Sequence, residues 1–70
     1  MQNSTRQMYE SHGFSPEEIE KIDIRTKQLP NLLLVEKEED KKFSCAMQKI
    51  VARQDLPEAK AEIRRQIANL

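Results

Sequence analysis

His12 and Cys45 are the only histidine and the only cysteine of the 70 residues, and they bound the chemistry first. Nucleophilic catalysis needs a Ser or Cys within reach of a His or Lys, and a third group to orient that base. His12 stands beside Gly13 at an expected helix end, where a cation suits the negative pole of the helix dipole, so it reads as a capping residue. Cys45 lies inside an apolar run and reads as a small core residue of a reducing compartment. A single thiol makes neither an intramolecular disulfide nor a cysteine cage for a metal. The carboxylates Glu17, Glu18, Glu20, Glu38, Glu39 and Asp40 fall in stretches expected to face water. There, nothing raises a carboxyl pKa toward general-acid range. One glycine is too few for a phosphate cradle, and no Asp-rich glycine loop exists to take calcium. The expectation is a chain without enzymatic machinery, cofactor or metal.

Binding chemistry has two candidates. Leu32, Leu33, Leu34 and Val35 form the longest apolar run, and four adjacent side chains cannot all point inward from one helix. They read as part core and part interface for a protein partner. The three methionines fit the same reading, since methionine tolerates imperfect interfaces. The second candidate is a basic set, Lys49, Arg53, Lys60, Arg64 and Arg65, with Lys49, Arg53 and Lys60 expected on one side of a final helical hairpin. The tight Gln54-Asp55-Leu56-Pro57 connection could imitate a helix-turn-helix and bring this set to DNA or RNA. Asp55, Glu58 and Glu62 interrupt the patch, the turn lacks glycine, and the net charge is zero, unlike the usual basic signature.

Charge is unevenly spread: residues 1–40 carry five basic and nine acidic side chains, residues 41–70 seven and three. Helix faces that attract one another within the fold would produce this, as would head-to-tail attraction between subunits. A basic C-terminal face for an acidic partner is the sharper reading. The apolar run 32–35 is far short of the roughly 20 residues a membrane span needs, and no apolar stretch follows a basic start in residues 1–7. A cytoplasmic chain without membrane contact is expected.

The elements that must position these groups are helical. Asn3 or Ser4 is expected to cap a short first helix, with Met8 and Tyr9 inward and Gly13 ending it in the left-handed conformation. Phe14-Ser15-Pro16-Glu17-Glu18-Ile19 satisfies four rules at once: Ser15 at N-cap, Pro16 at the first helical position, Glu18 closing a capping box, and Phe14 with Ile19 as a hydrophobic staple. That places a second helix from Pro16 to about Gln28, with Ile19, Ile22, Thr26 and Leu29 inward and Ile24 off the line. Residues 31–54 read either as one helix or as two separated by a break near 36–40, with the helix resuming near Lys41; the break is favoured. Phe43, Ala46, Met47, Ile50 and Val51 form its inner face. Asp55 and Glu58 repeat the capping logic before a last helix whose narrow stripe is Leu56, Ile63, Ile67 and Leu70, flanked by Ala59 and interrupted by Lys60.

The fold class that follows is all-α: one domain over residues 1–70, a small bundle of three to four short helices, the first 13 residues prone to fraying. Burying a Leu or Ile yields roughly 1.5–3 kcal/mol. Ordering each residue costs roughly 1.5 kcal/mol. So short a chain balances near zero, which makes a homo-oligomer or a partner a natural source of stability. The functional expectation is a small interaction module, a regulator, inhibitor, adaptor or assembly subunit, with the nucleic-acid binder as alternative.

Overall fold

A computed structural model describes residues 1–30 and 34–70. The described residues form an all-α bundle of four helices: α1 Asn3–Ser11, α2 Pro16–Lys27, α3 Glu38–Ala52 and α4 Leu56–Ile67. α3 packs most closely on α4, α4 also packs on α2, and α1 packs on α2.

α1 begins one residue before the expected caps. Gln2 occupies the N-cap position and its side chain makes no capping bond. Tyr9 is buried and Met8 half-buried, as their spacing implies. The helix ends at Gly13, whose φ of 88° only glycine adopts cheaply. Gly13 N–H donates to the Glu10 carbonyl and Phe14 N–H to the Tyr9 carbonyl, the paired bonds of a Schellman turn. The Tyr9 and Phe14 rings complete it edge to face, 5.6 Å apart.

α2 starts where four sequence rules agreed. Ser15 Oγ accepts from Glu18 N–H at 3.1 Å, and Glu18 Oε1 accepts from Ser15 N–H at 2.9 Å. Phe14 and Ile19 are both buried around this entry. The inner stripe then turns differently from expectation. After Ile19 and Ile22 it continues through Arg25, not Thr26: Arg25 is buried, while Thr26 is exposed and its hydroxyl donates to the Ile22 carbonyl at 2.7 Å. The reason is that Arg25 has a carboxylate waiting on α3, described below.

α3 begins at Glu38, three residues earlier than the expected resumption near Lys41. Glu38, Glu39 and Asp40 occupy its first turn, where negative charge favours the dipole, so the charged run is split between connector and helix. Phe43, Ala46 and Ile50 are buried and Met47 half-buried. Two expectations fail here. Val51 is 66 % exposed, and Cys45 lies on the surface instead of in the core. At about 100° per residue Cys45 stands roughly 200° around the helix from Phe43, which puts it on the outer face.

α4 buries Ala59, Ile63 and Ile67 and half-buries Leu56, but Leu70 lies beyond the helix and is exposed. The capping box expected from Asp55 and Glu58 is absent. Asp55 does hold the N-cap position, yet with φ 47° it is left-handed and its side chain bonds no backbone N–H. The α3 end just before it is a second Schellman turn, with Arg53 N–H donating to the Ile50 carbonyl and Gln54 N–H to the Lys49 carbonyl. Arg53 takes the left-handed position there, φ 57°, without being glycine. Among the described residues Phe43, Ile19, Ile22, Ile50 and Ile63 are the largest fully enclosed side chains, and all five lie in α2, α3 and α4.

Candidate interaction surfaces

Of the four-residue apolar run, Leu32 and Leu33 lie outside the described residues. Leu34 is 62 % exposed and Val35 half-buried. Leu34 borders a surface hollow of about 320 Å³ with Gln28, Leu29 and Pro30 from the end of α2 on one side and Glu36, Lys37 and Asp40 on the other. Val35 faces a different hollow of about 280 Å³ on the outer side of α3, with Lys41, Ser44, Cys45 and Gln48. The connector into α3 thus offers apolar side chains on two sides, with polar groups around each hollow.

The five basic candidates do not form one surface. Arg64 and Arg65 are adjacent in sequence and so diverge by about 100° on α4. Arg64 Nε donates to Glu18 Oε2 at 2.8 Å, and its guanidinium lies 4.8 Å from the Phe14 ring centre. Arg65 turns the other way, its Nη2 2.7 Å from Glu39 and 2.6 Å from Glu62. Lys49 Nζ is 3.8 Å from Asp55 and lines a groove of about 350 Å³ between α3 and α4, floored by Ala46 and Ala59. Lys60 does not line that groove, and Arg53 is exposed in the turn. Among the described residues Arg53 and Lys60 have no ion-pair partner. Part of the charge asymmetry between the two sequence halves is therefore matched across the bundle, by Glu18–Arg64 and Glu39–Arg65, and part within α3, by Glu39–Lys42.

These pairs set the electrostatics. The Ser15 backbone N–H, and then Arg64, hold the Glu18 carboxyl below its ordinary value. Arg65 does the same to Glu39, while Glu62 and then Glu39 raise the Arg65 guanidinium.

A polar cluster that the sequence reading missed joins α2, α3 and α4. Asp40, expected to face water, is buried, and Arg25 Nη2 donates to its Oδ1 at 2.6 Å. The Arg25 guanidinium sits 5.1 Å from the Phe43 ring centre, and its Nε donates to Gln66 Oε1 at 3.2 Å. Gln66 Nε2 in turn donates to the Glu39 carbonyl at 3.0 Å and to Glu62 Oε2 at 3.0 Å. No buried side-chain polar atom among the described residues lacks a partner. The available signal was phase: Arg25 falls three residues after Ile22, and Gln66 lies between Ile63 and Ile67, so both sit at the margins of apolar stripes. The cluster has the arrangement of a structural clamp, because Arg25 Nε and Nη2 and Gln66 Nε2 all donate to acceptors within the chain.

His12, Cys45 and the acidic groups do not assemble. Among the described residues no three His, Cys, Asp or Glu side chains come together in a way that would hold a metal ion. No helix among them is long and apolar enough to cross a membrane. Comparison with protein-family models, with curated proteins and with solved structures gave no match.

Proposed function

We propose that this chain is a small non-enzymatic protein-interaction module that docks a partner through the apolar connector ahead of α3. The observation that carries the reading is Leu34, a large apolar side chain left 62 % exposed beside Leu29 and Pro30 although the core is well enclosed. Apolar surface of that kind, rimmed by polar residues such as Glu36 and Lys37, is what protein interfaces use. A reducing, cytoplasmic setting fits the unpaired thiol of Cys45. The basic hairpin supports nucleic-acid binding less well, since Arg64 and Arg65 are engaged by carboxylates and would have to leave them to reach phosphate.

Leu34→Lys tests the proposal. Capture from native extract with the wild-type chain should retain a partner that the variant loses, while the two circular dichroism spectra coincide. An unfolded variant would make Leu34 a core residue, and equal capture would remove the connector from the interface. A mobility shift at low salt that weakens with a log–log slope of about −0.9 per duplex phosphate would favour the nucleic-acid alternative.

A further inference from the structure

We infer that α1 is a releasable strap, which lifts from α2 as a unit about the Gly13 turn while α2, α3 and α4 remain folded. The argument begins with what α1 lacks. It is nine residues long, below the roughly 12–15 at which an isolated helix holds itself together. Its N-cap side chain makes no bond, its first turn has no acid and its last turn no base. It has one buried side chain, Tyr9.

What holds α1 down is local to one neighbour. Its close packing is on α2, whereas α4 packs on both α2 and α3. The polar ties are Arg6 to Glu20 at 3.2 Å, with Arg6 half-buried and Glu20 exposed, and the N-terminal ammonium to Asp23 at 3.5 Å, a more sheltered pair. The first, at the surface, contributes little. Against them stands the conformational entropy that every ordered residue of α1 gives up. Among the described residues the largest fully enclosed side chains all belong to α2, α3 and α4, and α1 adds to that core only Tyr9 and, partly buried, Met8.

The joint is well placed for such a motion. Gly13 already occupies a conformation that tolerates wide change, and a Cβ there would touch nothing within 4 Å. Immediately beyond it, Phe14 is tied to the other helices by the Arg64 guanidinium over its ring, and Ser15 by its capping box. Motion therefore stops at Gly13. Opening separates Tyr9 from the edge of Phe14 and bares the Glu20–Asp23 flank of α2, so the open form presents an aromatic edge that the closed form hides.

Native-state hydrogen exchange on the full chain, in urea below the unfolding transition, tests this. The α1 amides from Arg6 to Ser11 should exchange at least about 10-fold faster than those of Phe43, Ile50 and Ile63, and with a weaker urea dependence. Tyr9 is the only tyrosine and there is no tryptophan, so its emission reports on the strap alone and should change before the far-ultraviolet signal does. Tyr9→Ala should abolish protection in α1 and keep the α3 and α4 amide resonances in place. Exchange of α1 amides at the core's rate and urea slope, coincident optical transitions, or collapse of the whole spectrum in Tyr9→Ala would each overturn the inference.

Discussion

The bundle contains two helix-to-helix junctions built on the same plan, and they reach it by opposite means. From Tyr9 to Glu18 and from Lys49 to Glu58 the chain closes a Schellman turn, passes through a left-handed residue, enters an N-cap and meets a proline at the start of the next helix. At the first junction local chemistry agrees with every step: Gly13 is left-handed, Ser15 and Glu18 exchange bonds, and Phe14 packs on Tyr9. At the second, Arg53 and Asp55 are both left-handed and the Asp55 side chain caps nothing. A non-glycine residue in that region costs roughly 1–2 kcal/mol. Yet the second junction joins the most closely packed pair of helices. Its geometry is imposed by the packing of Phe43, Ala46 and Ile50 against Ala59 and Ile63, while the first is written into the turn itself.

The largest expected effect comes from removing what imposes the second junction. Ile63→Ala should cost about 2–5 kcal/mol. For a domain of this size that is a large part of the roughly 4–10 kcal/mol to be expected in total. Urea unfolding should show a much lower midpoint, and a shift below about 1 kcal/mol would mean that α3 and α4 do not depend on this contact. Next come the left-handed residues that close the two Schellman turns, Gly13 and Arg53, which should respond with opposite sign. Gly13→Ala should destabilise by about 1–2 kcal/mol, a purely conformational cost because the added methyl meets open space. Arg53→Gly should stabilise by about 0.5–1 kcal/mol, the relief of strain less the added freedom of the unfolded chain. Thermal melts of the pair would fall on either side of the wild type.

The two caps offer a finer contrast. Ser15→Ala should lose about 1 kcal/mol, whereas Asp55→Ala should stay within about 0.5 kcal/mol of wild type, since only Ser15 makes a capping bond. Last is the acid dependence of the first junction. Glu18 has its carboxyl lowered by the Ser15 N–H and by Arg64. Its contribution is therefore complete above the ordinary glutamate range and disappears as pH falls through the lowered folded-state value. The stability difference between wild type and Glu18→Gln, measured by urea midpoint, should be present at neutral pH and shrink as pH falls below the ordinary glutamate range.

The same contrast explains how much was legible in the residues. The entry into α2 needed only Phe14 through Ile19, because each rule there acts within one turn, and the structure obeys all of them. The all-helical class and the inward positions of Ile19, Ile22, Phe43, Ile50, Ile63 and Ile67 follow from spacing, and these side chains are buried. What spacing does not carry is the direction from which a neighbour arrives. Thr26 and Arg25 are adjacent, and α4 approaches nearer the arginine. Cys45 and Val51 sit in apolar company by sequence but on the outer side and flank of α3 in space. Asp40 looked solvated because its partner lies 15 residues away on another helix. At the candidate surface an apolar run is plain at 32–35 and reads as part core and part interface, but spacing does not single out Leu34 or foretell the dispersal of the basic residues.

The Arg25 cluster also acts as an alignment key. Apolar helices can slide past one another by a turn and still bury oil against oil. Here a slip of α4 by one turn would carry Gln66 away from Arg25, and a slip of α3 would strand the guanidinium against Phe43 with no carboxylate to receive it. An uncompensated buried charge is costly enough to make every such misalignment self-rejecting, so a few polar atoms give three greasy helices a single way to meet.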